Sequence, residues 1–197
     1  AVEIEQASRG RQAHPVQTAA KRRIGVMGLG TLGEAVPKPL VAMGFDCGGW
    51  SRTPRDLPGV RCRAGDEQLG EFLARSDILI CLLPLTERTE GMLNADLFGQ
   101  LPAGAALVQA GRGAQLNHQH LLDALDAGQL SAAVVDVTAP EPLPAEHRFW
   151  HHPQIWLTPH IASQTQPESA VVALLANIRR HQRGEPMVGV VDRQQGY

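Results

Sequence analysis

The sequence predicts an α/β domain built on a doubly wound parallel sheet. Short apolar runs alternate with helix-length stretches from Arg23 onward, the pattern of strands joined by crossover helices. One of these runs, Ile78-Leu79-Ile80-Cys81-Leu82-Leu83, is apolar throughout, as expected of a strand covered on both faces. A glycine-rich loop, Gly28-Leu29-Gly30-Thr31-Leu32-Gly33, falls between the first such run and the first helical stretch.

In order along the chain, strands are expected at Arg23–Met27, Phe45–Trp50, Val60–Arg63, Asp77–Leu82, Ala106–Gln109, Ala132–Val137 and Ile155–Leu157. Helices are expected at Leu32–Met43, Asp66–Arg75, Asn94–Gln100, His118–Ala127 and Pro167–Arg183. Pro37 and Pro39 lie well inside the first of these helices. An interior proline removes a backbone donor and clashes, at roughly 3 kcal/mol each, so that helix should kink or restart there.

At 197 residues the chain is long enough for one generous domain and too short for two full ones. Its 43% hydrophobic content can bury a core. A net charge of -2 leaves no basic footprint, so nucleic acid is not an expected partner. The Lys21-Arg22-Arg23 run reads as a solvated lead-in to a strand, with a binding role as the alternative. Cys47, Cys62 and Cys81 are odd in number, lack CxxC spacing and lie in apolar runs, which fits buried, reduced thiols of a cytoplasmic protein. No apolar run approaches a membrane span and the N-terminus carries no apolar signal region, so no membrane partner is expected. His118-Gln119-His120 and His151-His152-Pro153 lack further ligand residues nearby, and no metal is expected. Residues 1–20 read as the tail of a helix plus a linker, as though the chain began mid-protein.

The glycine loop suits a dinucleotide. Gly28 would make the turn, Gly30 would let the backbone approach a pyrophosphate, and Gly33 would let helix and strand pack closely. Thr31 and Leu32 open the helix whose amides would face the anion. A tight strand–helix turn without ligand is the plain alternative. At the tip of the second strand, where NAD-binding folds usually carry an acid for the ribose hydroxyls, the sequence reads Ser51-Arg52-Thr53-Pro54-Arg55. Hydroxyls of Ser51 and Thr53 beside the guanidiniums of Arg52 and Arg55 suit a ribose 2′-phosphate, so NADP (as NADPH) is expected ahead of NAD. An ordinary basic turn is the competing reading.

Arg112, Glu141 and His160 each follow a predicted strand, where ligands bind in open parallel sheets. Arg112 lies between Gly111 and Gly113, a position of unusual backbone freedom. Reducing a 2-oxo acid needs a guanidinium to hold the carboxylate, an imidazolium to donate a proton, and a carboxylate to favour that imidazolium. Singly, each has a bland alternative: a surface charge at Arg112, a loop acid at Glu141, a helix-capping residue at His160.

Together these stretches resemble the cofactor-binding part of the D-isomer-specific 2-hydroxyacid dehydrogenases, a Rossmann-type domain. The matching segments are Gly28–Gly33, Leu82-Leu83-Pro84-Leu85-Thr86, Gly111-Arg112-Gly113, Val135-Asp136-Val137 with Glu141-Pro142-Leu143, and Thr158-Pro159-His160-Ile161-Ala162. The resemblance implies that Arg112 binds substrate, His160 is the acid/base and Glu141 pairs with it. It further implies that Asp136 contacts the nicotinamide carboxamide and that Leu83, Pro84, Thr86, Ala110 and Gly111 line the cofactor cleft. The basic residues after Trp50 and the ending Val191–Tyr197 resemble the NADPH-dependent glyoxylate/hydroxypyruvate reductase A group. Two positions depart from the pattern: Gln109 stands where the family commonly has Asn, and Thr138 where an aromatic is usual. The resemblance further implies that a substrate domain, which family members build mainly from N-terminal sequence, would be largely absent from these 197 residues. Residues 1–21 would then be the end of the interdomain helix and a linker, 22–184 the nucleotide-binding domain, and 185–197 a tail that docks on the substrate domain. The expected protein is a cytoplasmic homodimer acting on a small 2-oxo or 2-hydroxy acid. A dinucleotide-sensing module and a catalytically inactive remnant are the alternatives.

Overall fold

Runs of alternately and wholly buried residues place seven strands in one sheet, β1 Arg23–Met27, β2 Asp46–Ser51, β3 Val60–Ala64, β4 Ile78–Cys81, β5 Ala105–Gln109, β6 Leu130–Val135 and β7 Ile155–Leu157. The computed structural model describes residues 18–191, so the readings of the interdomain helix end and of the last residues, 192–197, lie outside the described residues. Every pairing is parallel, in the order β3-β2-β1-β4-β5-β6-β7. Starting at β1, the chain winds outward to β3, returns to β4 beside β1, and winds outward the other way. The switch point therefore falls between β1 and β4, where doubly wound sheets open a crevice.

The register makes the strand ends level. Arg63, Trp50, Met27, Cys81, Gln109, Val135 and Leu157 are paired neighbour to neighbour across the whole sheet. Each segment singled out above begins within a few residues of that row. Neighbouring strands lie about 4.8 Å apart, so the row runs about 19 Å from β1 to β7.

Met27, Leu79, Cys81, Leu107, Ala133 and Val135 are fully buried in the sheet. Against them pack Phe72 and Leu73 of α3 (Leu69–Leu73), Leu97 and Phe98 of α4 (Ala95–Phe98), and Leu121, Leu122 and Leu125 of α5 (His118–Asp126). Each such side chain contributes about 1.5–3 kcal/mol of burial. Asn94 and Asn117 cap α4 and α5, accepting from Leu97 N at 3.1 Å and His120 N at 3.0 Å.

The prolines divide the helix after the glycine loop as their chemistry demands. It becomes α1 (Thr31–Ala35) and α2 (Pro37–Ala42), with Pro37 buried in the first turn of the second piece, where a missing N–H costs nothing. The expected helix over 66–75 is likewise shorter, a 3-10 turn at Asp66–Gln68 leading into α3. All three cysteines are free, but Cys62 is only half-buried, because β3 is the outer strand of the sheet. No helix among the described residues is long and apolar enough to cross a membrane.

The last helix, α6 (Pro167–Gln182), differs from the rest in having no buried residue. Val172 and Leu174 are 69% and 60% exposed. The following segment doubles back along it, pinned by a reciprocal pair between the Asn177 amide and the Val188 backbone, each bond 2.9 Å.

Candidate active site and nucleotide cleft

The glycine loop is shaped by what each residue would collide with. Gly28 has φ 96° and its N–H donates to the Trp50 carbonyl at 2.8 Å, tying the loop to the end of β2. A side chain at Gly33 would sit 1.6 Å from the Gly28 carbonyl oxygen, so only glycine allows α1 to start this close to β1. A side chain at Gly30 would meet nothing within 4 Å. The middle glycine thus guards open space rather than a packing contact, which is what an approaching pyrophosphate requires. Thr31 and Leu32, both exposed, begin α1 at this opening.

Beyond β2, Ser51 is buried and its hydroxyl donates to the Thr53 carbonyl at 2.7 Å, folding the turn on itself. Arg52, Thr53 and Arg55 are exposed on that turn. Arg55 Nη1 lies 3.3 Å from Glu34 Oε1 of α1, bridging the turn to the helix that follows the glycine loop. Beyond β4, Leu83 is buried, while Thr86 packs its hydroxyl against that of Thr89 at 3.2 Å; Thr89 in turn donates to the Pro84 carbonyl at 2.7 Å.

Arg112, Glu141 and His160 sit beyond β5, β6 and β7, which are consecutive in the sheet. His160 Nδ1 is 3.0 Å from Glu141 Oε1, with the imidazole 47% and the carboxylate 44% exposed. A carboxylate only accepts, so Nδ1 carries the shared proton and Nε2 is left for other work. Arg112 is exposed and its Nη1 donates to the Gly111 carbonyl at 2.7 Å. Its flanking glycines do not serve backbone freedom, since neither has a positive φ. They serve close approach: a side chain at Gly113 would lie 2.0 Å from the Thr138 carbonyl, and one at Gly111 2.9 Å from that of Leu83. Gly113 thereby presses the Arg112 loop against the segment leading to Glu141.

Residues 2–162 match the family model for the NAD binding domain of D-isomer specific 2-hydroxyacid dehydrogenases. The chain belongs to this family. It is 46% identical over 177 residues to a glyoxylate/hydroxypyruvate reductase A of Yersinia enterocolitica, covering 90% of this chain and 56% of that one. A reductase of the same name from Serratia proteamaculans is 47% identical over 174 residues, 88% of this chain and 56% of the relative. The chain thus spans little more than half the length of these curated relatives. Among solved structures, a D-isomer specific 2-hydroxyacid dehydrogenase from Xanthobacter autotrophicus Py2, in complex with NADPH and MES, superposes with a TM-score of 0.97 at 41% identity. That match covers all of this chain and 81% of the other. The NADPH-dependent glyoxylate/hydroxypyruvate reductase of Sinorhizobium meliloti, with NADP and sulfate, gives 0.96 at 36% identity, covering all of this chain and 63% of its own.

Within this 2-hydroxyacid dehydrogenase domain, two buried amides form a frame that motif reading passed over. Gln115 Nε2 donates to the carbonyls of Leu83 and Pro84, both at 2.9 Å, and its Oε1 accepts from Arg112 N at 2.8 Å. Gln109, also buried, donates to the Arg112 carbonyl at 2.9 Å. One side chain thus spans from the β4 loop to the β5 loop and the other braces the latter from beneath. The available signal for Gln115 was its place three residues after the residue that opens a helical turn, the spacing of a capping box.

Asp136 is also more committed than motif reading suggested. Only 5% exposed, its carboxylate accepts from Thr158 Oγ1, from Ile161 N at 2.9 Å and from Ala162 N at 3.0 Å. Burial alone would push its pKa up, but these three donors and the nearby His160 outweigh it and hold the carboxyl below its ordinary range. His160 itself adopts φ 55°, a left-handed conformation that costs a non-glycine residue about 1–2 kcal/mol. The Thr138 hydroxyl donates to the Pro140 carbonyl at 3.0 Å, one residue before Glu141. Among the described residues no cluster of His, Cys, Asp and Glu could hold a metal ion.

Proposed function

We propose that this chain is the nucleotide-binding and acid–base portion of an NADPH-dependent reductase of small 2-oxo acids, of the glyoxylate/hydroxypyruvate type. The observation that carries the reading is the His160–Glu141 pair, 3.0 Å apart and standing in the same row of strand ends as the glycine loop. A sensing module would need the glycine loop but no proton donor. The names of the relatives and their NADPH or NADP complexes support the same reading.

The open space over Gly30 and the Ser51–Arg55 turn fit a dinucleotide carrying a 2′-phosphate, with Ala110, Gly111, Leu83, Pro84 and Thr86 along its path between the strand ends. When bound, the nicotinamide supplies the hydride. Arg112 holds the substrate carboxylate through guanidinium N–H groups beyond the one bonded to Gly111. As charge develops on the carbonyl oxygen, His160 Nε2 delivers its proton there, leaving the tautomer protonated at Nδ1 that Glu141 already favours. In the reverse direction Nε2 accepts the hydroxyl proton. Asp136 joins this scheme as the residue that holds the His160 turn, with contact to the nicotinamide carboxamide proposed in addition.

The chain is proposed to act in the cytoplasm as a homodimer, with NADPH preferred over NADH. Arg112, Glu141 and His160 are all exposed, so the 197-residue chain should bind nucleotide yet turn substrate over slowly. Positioning and exclusion of water supply about 7–11 kcal/mol in an enclosed site. Calorimetric titration with NADPH and NADH, paired with NADPH oxidation on glyoxylate, tests both halves. Equal affinity for the two nucleotides would reject the phosphate-site reading, and rapid turnover would reject the need for further enclosing residues.

A further inference from the structure

The ion pair between Glu34 and Arg55 lies where the proposed nucleotide site would want no carboxylate. Glu34 is in the first turn of α1, directly after the loop assigned to the pyrophosphate. Arg55 is in the turn assigned to the 2′-phosphate, and the two meet at 3.3 Å. Two readings of Glu34 are available from its position alone. As an acid at a helix N-terminus it could merely complement the helix dipole, but α1 is a single five-residue turn and a half-exposed carboxylate gains little there. Its specific partner is the more informative fact. The guanidinium that would receive a dianionic phosphate already has Nη1 within ion-pair distance of a carboxylate of the chain itself.

We infer that Glu34 is a coenzyme-discriminating residue: it competes with the ribose 2′-phosphate for Arg55 and holds NADPH affinity below what the Ser51–Arg55 turn could otherwise provide. This rests on the reading of that turn as the 2′-phosphate site. Entry of the phosphate requires Arg55 to leave Glu34 or to share its fork, and it brings two negative charges toward a third. Neither penalty applies to a nucleotide whose 2′ position is a hydroxyl, for which a nearby carboxylate is an acceptor. Glu34 therefore narrows the preference between the two coenzymes. It supplies from the helix side a version of the acid that the tip of β2 lacks.

The test uses the intact 197-residue chain and two small probes that differ only at the 2′ position, adenosine 2′,5′-bisphosphate and 5′-AMP. Their dissociation constants are measured by calorimetry for wild type, Glu34→Gln, Arg55→Ala and the double variant. Glu34→Gln should tighten the bisphosphate about three- to tenfold, the scale of one half-exposed pair plus screened repulsion, and change 5′-AMP less than twofold. In the Arg55→Ala background the effect of Glu34→Gln on the bisphosphate should shrink below twofold. The gain should also fade as salt is raised. Weaker bisphosphate binding by Glu34→Gln would show that Glu34 positions Arg55 rather than competing for it, and would overturn the inference. Equal tightening of both probes would reduce Glu34 to a general repulsive charge and would overturn it as well. If wild type shows no preference for the bisphosphate over 5′-AMP, the 2′-phosphate reading falls and takes the inference with it. A retained preference with no response to Glu34→Gln removes this inference alone.

Discussion

Asp136 encloses His160 from both sides of the chain. Its backbone carbonyl accepts from His160 N at 2.9 Å, while its carboxylate accepts from Thr158 before the histidine and from Ile161 and Ala162 after it. The left-handed backbone of His160 is held there by hydrogen bonds donated to a single buried residue.

Asp136→Asn should therefore act on the turn before it acts on anything bound. One acceptor oxygen becomes a donor, and at least one of the three donors loses its partner. The expected cost is about 1–3 kcal/mol of stability, with faster hydrogen exchange at Ile161 and Ala162. Unchanged exchange at those amides would mean the carboxylate is not what holds the turn.

The acid–base assignment is tested where the site is enclosed, in a protein carrying this chain at the full length of its relatives. His160→Gln should leave nucleotide affinity intact while kcat falls by roughly 10²–10⁴, the usual contribution of a positioned proton donor. Near-normal kcat from pH 6 to pH 8 would remove His160 from the mechanism.

The glycine loop makes a prediction by contrast. Gly33→Ala forces a methyl into the Gly28 carbonyl and should destabilise the fold by about 1–3 kcal/mol. Gly30→Ala meets nothing, so its thermal unfolding should stay close to wild type while NADPH binding is lost or sharply weakened. Were Gly30→Ala to bind NADPH normally, the space above Gly30 would not be the pyrophosphate path.

A pH dependence follows from a histidine pair away from the site. Phe149 N donates to His147 Nδ1 at 3.2 Å, so the His147 proton lies on Nε2 and points at His118 Nδ1, 3.1 Å away. His118 Nε2 is then the protonated nitrogen, buried and without a partner among the described residues. Burial, with His147 as the second cause, lowers the His118 pKa from its ordinary value of 6.5. The unfolded chain therefore takes up this proton first as pH falls. The stabilisation is fully present above about pH 6.5 and is lost as pH drops through the lower folded value. Urea midpoints should decline from pH 7.5 to pH 5, and His118→Phe should flatten that decline. An identical slope in the variant would place the titration elsewhere.

Strand positions were legible because period and apolar content report burial directly. β1 and β7 match their expected bounds, and β2 through β5 lie within a residue of theirs at each end. β6, Leu130–Val135, lies two residues before its expected bounds at both ends; beyond Val135 the Asp136 side chain is committed to the β7 turn, and a side-chain commitment of that kind leaves no periodic trace. Helices were less legible where a short segment changes type, as at Asp66–Gln68, or where a proline forces a restart. The pairing of His160 with Glu141 was foreseen through resemblance and is present in the geometry. What the Gln109–Gln115 frame does was not foreseen: the three-residue spacing of Arg112 and Gln115 is a local mark, but the reach of Gln115 to the Leu83 and Pro84 carbonyls, 32 and 31 residues away, leaves none. Gly111 and Gly113 were noticed for the right residue type and the wrong cause, since crowding by a distant carbonyl resembles backbone freedom when only the sequence is read.

The level row of strand ends turns the sheet into a ruler. A strand advances about 3.3 Å per residue and reverses its facing side with each one. A slip of one residue in any of β4 to β7 would carry its loop out of reach and bury the wrong face at the same time. Errors in the alignment of the working groups are thereby coupled to errors in the core, where they cannot be tolerated. The spacing of the candidate groups is set by the ladder beneath them. In this molecule the register of the sheet and the spacing of the candidate groups are one and the same constraint.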